Sequence, residues 1–139
     1  MVDRSVLAKK IAAIRDAVAR IQSVLPPTAE AFVADRTARE VVTLNLFLAL
    51  QESIALAMHW LADEGLDVPA TYGEVFPVLA ARGVLEETLA RRLRAAAGLR
   101  NLIAHQYGVL DFHRVFIVAR DEAADLLDFC QQLAARAQE

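Results

Sequence analysis

Apolar residues recur along this chain at the spacing of one helix face. Leu7, Ile11, Ile14, Val18, Ile21 and Leu25 follow alternating steps of four and three, which predicts a first amphipathic helix ended by Pro26-Pro27. Thr28 to Ala34 has room for a short turn of helix. Asp35 is placed to cap a long second helix that runs to about Glu64 and is stopped by Gly65. Apolar residues surround much of that helix, so it is expected to be the most buried element. After a Val68-Pro69 connector, Thr71-Tyr72-Gly73-Glu74 has capping-box spacing and predicts a short helix to about Arg82, with Gly83 as its stop. A long helix is predicted from about Leu85 through Tyr107, with Leu89, Leu93, Ala96 and Ile103 on its inner stripe and Gly108 ending it. Asp111 is placed to cap the last helix, whose inner face carries Phe112, Val115, Phe116, Ala119, Ala123, Leu126, Cys130 and Leu133. Together these elements predict an all-α, up-and-down bundle of about five helices, one domain over residues 1–139.

Composition sharpens this picture. The hydrophobic fraction is 56%, above the usual range for globular domains, and leaves apolar surface for a partner. With 6% aromatic residues, 5 Gly and 4 Pro, a many-turned β protein is disfavoured. A net charge of −3 argues against coating nucleic acid through bulk charge. A local basic site remains open, because Arg82, Arg91, Arg92, Arg94 and Arg100 lie close together; the alternative is a solvated helix face. Cys130 is the sole cysteine and falls in an apolar helical pattern, which fits a core thiol and a reducing cytoplasm. The first residues lack the apolar core of a signal peptide. The greasiest stretch, Leu44 to Ala62, is interrupted by Asn45, Gln51, Glu52 and His59, the pattern of a buried helix rather than a membrane span.

Candidate chemistry concentrates in Gly98 to Tyr107. Arg100, Asn101, His105 and Tyr107 fall within two helical turns, in a chain with 3 His and 2 Tyr. An arginine fork holds phosphate, and an imidazole moves protons near neutral pH, a pairing suited to cleavage of an RNA backbone. On one helix Asn101 and His105 are stacked neighbours, and Arg100 and Tyr107 lie nearly in line. Arg100 and His105, five positions apart, point roughly 140° from each other. Either the helix distorts near His105, or two copies meet at a symmetry axis and pool their residues in one cleft. In that chemistry His105 acts as general base on a ribose 2′-hydroxyl or as general acid on the leaving oxygen. Arg100 holds the phosphate and stabilises its developing charge. Asn101 orients the imidazole, and Tyr107 positions phosphate or stacks on a base. No cofactor is implied, and no His/Cys/Asp cluster has metal-ligand spacing. The bland reading of the same residues is a polar network closing the helix end before Gly108.

At Arg100, Asn101, His105 and Tyr107 the chain resembles the HepT-like group of the HEPN superfamily, whose motif is R-N-x-x-x-H-x-Y. The resemblance extends over nearly the whole chain, through Phe32-Val33-Ala34-Asp35, Ala57-Met58-His59-Trp60-Leu61-Ala62, the segment Pro69 to Phe76, and Asp111. It implies a helical homodimer with a composite cleft and a metal-independent endoribonuclease. It also implies the toxin of a toxin–antitoxin pair, partnered with a minimal nucleotidyltransferase antitoxin that transfers AMP to the tyrosine matching Tyr107. One departure stands out: where relatives often carry a glutamate eight positions before the residue matching His59, this chain has Gln51, with Glu52 adjacent. A non-catalytic partner of the nucleotidyltransferase, with the motif serving only for docking and modification, and a purely structural helical dimer are the competing expectations. His59 reads as a core histidine, His113 as an exposed residue after a cap, and Tyr72 as packing or cleft lining. Asp35 and Asp111 read as caps, and Trp60 as core or dimer interface.

Overall fold

The computed structural model describes residues 2–138. Among the described residues seven helices are formed: α1 (Arg4–Val24), α2 (Ala29–Ala34), α3 (Arg36–Asp63), α4 (Val75–Ala81), α5 (Glu87–His105), α6 (Phe112–Asp121) and α7 (Ala123–Ala137). Short 3-10 turns at Tyr72–Glu74 and Tyr107–Val109 precede α4 and α6. The all-α class is as expected, with more helices than the five read from periodicity. α1 packs along α3, α7 lies against α1, α5 runs against α3 and α4, and α6 covers α2.

Local signals account for most of the boundaries. Asp3, Thr28, Asp35 and Asp111 each accept backbone N–H bonds at the start of α1, α2, α3 and α6. Gly65 and Gly83 adopt φ of 72° and 76°, and the following Leu66 and Val84 donate back to Leu61 and Leu79. That closes the carbonyl ends of α3 and α4 in the manner only glycine permits without strain. α3 is apolar around most of its circumference, with Leu46, Ala49, Leu50, Ser53, Ile54, Leu56, Ala57, Trp60 and Leu61 all buried. It is long and apolar enough to cross a membrane, and half of its most apolar stretch is buried inside the molecule, which accounts for that composition. Trp60 is a core residue. Two aromatic contacts, Phe32 with Phe116 at 5.8 Å and Phe76 with Phe129 at 5.6 Å, fill the space between layers. Each such fully buried side chain contributes about 1.5–3 kcal/mol of hydrophobic stabilisation.

Four boundaries differ from expectation. Thr71 makes no side-chain cap: the Glu74 N–H donates to the Thr71 carbonyl at 3.3 Å, and the Glu74 carboxylate reaches across to Arg94 (2.6 Å) rather than back along its own turn. The helix carrying the polar motif starts at Glu87 rather than Leu85: Glu86 is tied to Gln132 by two hydrogen bonds that set the entry. It ends at His105 rather than Tyr107. Gln106 leaves helical geometry, and the bonds Val109 N–H to Gln106 and Leu110 N–H to Tyr107 wind a tighter turn that delivers Asp111 to cap α6. The last helix is two: at Glu122 φ is −117°, and this break lets α6 follow α2 while α7 follows α1.

Candidate active site

The inner stripe of α5 (Leu89, Ala90, Leu93, Ala96, Ala97, Leu99 and Ile103) is buried, and this burial fixes the rotation of the helix. Arg100 is thereby set at the edge of the buried face, half-buried, facing α3. Its Nε donates to Gln51 Oε1 at 2.7 Å, and Nη1 donates to Asn101 Oδ1 at 3.0 Å. The guanidinium carbon lies 4.8 Å from the centre of the Tyr72 ring and 5.4 Å from that of Phe47. Such faces attract a cation through the ring quadrupole. Tyr72 is brought there by its 3-10 turn, which rests on α5 through the Glu74–Arg94 ion pair and through Gly73. A Cβ at Gly73 would lie 3.4 Å from both Arg94 Cγ and the Arg94 carbonyl oxygen. Among the described residues Arg100 has no carboxylate partner. Glu52, next to Gln51, points instead to Lys10 on α1 at 2.8 Å. Asn101 spends its amide oxygen on Arg100.

His105 is the last residue of α5 and is exposed. The helix is regular through it, so Arg100 and His105 keep the roughly 140° divergence of five helical positions. Tyr107, 45% exposed, lies beyond the helix on its own turn. Its ring stands edge-on to Phe112 at 6.1 Å, and Phe112 in turn meets Phe32 at 6.4 Å. Arg39 lies over the Phe112 ring at 5.2 Å and donates to the Val33 carbonyl. Arg36, bonded to Glu40 at 2.7 Å, has its charged form favoured first by Glu40 and more weakly by Tyr107. The four motif residues therefore do not share one contact cluster. Arg100 and Asn101 form one with α3 and Tyr72, Tyr107 forms another with Phe112, and His105 stands at the helix end. A cavity of about 370 Å³ beside Leu99, His113, Arg114 and Ile117 takes in none of the four.

Residues 14–133 match the family described as ribonuclease HepT-like. The chain belongs to that family. The mRNA nuclease HepT of Shewanella oneidensis is 28% identical over 94% of this chain and 97% of its own length. A solved structure of a tri-AMPylated Shewanella oneidensis HEPN toxin in complex with its MNT antitoxin superposes with a TM-score of 0.85 at 29% identity, covering 97% of this chain and 99% of that one. A toxin–antitoxin crystal structure with AMP-PNP superposes at 0.86 with 27% identity, over 94% and 98% of the two chains.

Elsewhere in this HepT-like chain, the other candidates settle into structural places. His59 is half-buried with Nε2 3.1 Å from Asp63 Oδ2, and Asp63 also accepts the Asp3 N–H. His113 is exposed beside the Asp111 cap. Cys130 is fully buried, and burial pushes its thiol up to about 11. The basic stretch of α5 is partly neutralised, Arg92 by Asp125 at 2.9 Å and Arg94 by Glu74 at 2.6 Å. Among the described residues no group of three or more His, Cys, Asp or Glu side chains is arranged to hold a metal ion. Sequence reasoning missed Phe47 and the part played by Gln51. Their spacing of four on α3 marks one face, and nothing local shows that Arg100 lies against it.

Proposed function

We propose that this chain is a metal-independent endoribonuclease that works as a homodimer and serves as the toxin of a toxin–antitoxin pair in the cytoplasm. The observation that carries the reading is the seat of Arg100: a half-buried guanidinium fixed by two amides and two rings, with no carboxylate among the described residues to neutralise it. Such a preorganised cation suits the charge that develops on a phosphodiester in its transition state. His105 supplies the general base for the ribose 2′-hydroxyl or the acid for the leaving oxygen. Asn101 holds Arg100, and Tyr107 lines the rim.

The regular helix through His105 supports the dimer, since one copy turns its cation and its imidazole to different sides. A second copy also has a surface to meet: Leu44 and Leu48 stand 56% and 43% exposed on α3, in line with Phe47 and Gln51. Joining copies there removes apolar surface from water and sets two Arg100 seats near one axis. Tyr107 is the proposed target of AMP transfer by a minimal nucleotidyltransferase antitoxin. Its open ring is accessible, and an added phosphodiester places negative charge where RNA phosphate must enter.

The test is cleavage of an end-labelled RNA in EDTA by wild type, Arg100→Ala and His105→Ala, with folding checked by circular dichroism. Cleavage that disappears in both folded variants is the expected result. Undiminished cleavage by His105→Ala removes the acid–base assignment, and a wild type that leaves RNA intact removes the nuclease reading. Incubation of the protein with ATP and the nucleotidyltransferase is expected to add AMP mass to wild type and not to Tyr107→Phe.

A further inference from the structure

A guanidinium carries five N–H donors. In this chain Arg100 spends one on Gln51 and one on Asn101, leaving three for a ligand. The two acceptors differ in what they control. Asn101 is the next residue on the same helix, so its bond follows any movement of α5. Gln51 sits on α3, 49 positions away, and ties the guanidinium to a second, heavily buried helix. With Phe47 one turn earlier on α3 and Tyr72 on the other side, Gln51 fixes the plane of the guanidinium as well as its place. A phosphate recognised by two parallel N–H bonds requires that plane to be fixed. The acceptor is also uncharged. The nearby carboxylate of Glu52 is held by Lys10, so the seat as a whole adds no negative charge that competes with phosphate.

We infer that Gln51 is the positioning residue for Arg100, and that its neutrality sets how strongly the site holds a phosphodiester. This rests on the proposed ribonuclease reading and adds a residue to it. Two substitutions separate the bond from the charge. Gln51→Leu keeps the volume and removes the acceptor. Gln51→Glu keeps an acceptor and adds a charge.

Three readouts are needed. The first is the ¹⁵N-correlated Nε–H resonance of Arg100, assigned by its loss in Arg100→Lys and titrated with inorganic phosphate. The second is the affinity for a non-cleavable 2′-O-methyl oligonucleotide. The third is the split of cleavage rate into kcat and KM. Gln51→Leu is expected to collapse the Nε–H resonance onto those of exposed arginines and to lower kcat about tenfold, the size of one lost charge-assisted bond, with a smaller change in affinity. Gln51→Glu is expected to keep the resonance shifted, to blunt its response to phosphate, and to weaken oligonucleotide binding about tenfold.

A lowered Tm in either variant, with all three readouts at wild-type values, assigns Gln51 a merely structural role and overturns the inference. Unchanged affinity in Gln51→Glu overturns the charge argument. The phosphate titration requires no RNA cleavage. A wild type that leaves RNA intact yet shows the Nε–H pattern would therefore defeat the ribonuclease reading and leave Gln51's role in place. Cleavage at wild-type kcat and KM by both variants would do the reverse.

Discussion

If the catalytic cation and imidazole come from different copies, two dead variants should revive each other. In α5 Arg100 and His105 are five positions apart, about 7.5 Å along the axis and about 140° around it, and the helix continues through His105. Arg100→Ala and His105→Ala alone are each expected at least about 100-fold below wild type, the usual worth of a transition-state donor or a general base. When the two are mixed and allowed to exchange subunits, random pairing makes half of the dimers mixed. Each mixed dimer keeps one intact pair of the two, Arg100 from one protomer and His105 from its partner, so the mixture should recover about a quarter of wild-type activity. The assay is cleavage of a fluorogenic RNA before and after exchange, with native mass spectrometry counting the mixed dimers. Recovery above a few per cent supports the composite cleft. Mixed dimers that form in the expected proportion and stay as inactive as their parents would refute the geometry, because both groups would then act from within one chain.

Other outcomes follow from single features. Leu44→Glu puts a charge into the proposed seam at a side chain 56% exposed in one copy, so light scattering should show monomer with Tm little changed; a stable dimer would place the seam elsewhere. Gly65→Ala meets no atom within 4 Å, so its cost is the left-handed backbone alone, about 1 kcal/mol and a few degrees of Tm, whereas Gly108→Ala, where φ is not positive and space is open, should be neutral within about 0.5 kcal/mol by calorimetry. Burial raises the Cys130 thiol from 9.0 to about 11, so the native protein at pH 8 should expose about 100-fold less thiolate than the unfolded chain. Reaction with Ellman's reagent should accordingly wait for denaturant, and prompt native reaction would contradict the burial.

Much of the fold was legible because helix ends are written locally. Asp35, Asp111, Gly65 and Gly83 stop or start helices through bonds within a few residues, and sequence spacing captures those. Two of the misplaced boundaries share a cause: a residue with a good local role took a distant partner instead. Glu74 left its capping box for Arg94, and Glu86 took Gln132 from α7. The same holds for charge. Arg92 and Arg94 look like a basic stripe in sequence and are partnered by Asp125 and Glu74 in space. At the candidate site the motif residues were legible, and their supports were not. Gln51, Phe47 and Tyr72 meet Arg100 only through the packing of α3 and the Tyr72 turn on α5.

That division of supports bears on how the site would be shut off. Arg100 depends on α3 and on the Tyr72 turn, while Tyr107 depends on Phe112, which stands on Phe32 and under Arg39. No hydrogen bond or ring contact joins the two groups among the described residues. A nucleotide attached to Tyr107 would therefore leave the Arg100 seat intact. It would act by bulk and negative charge at the rim, competing for the same cation that RNA phosphate needs. Inhibition of that kind leaves the catalytic geometry preformed, so removal of the modification would restore the site without refolding.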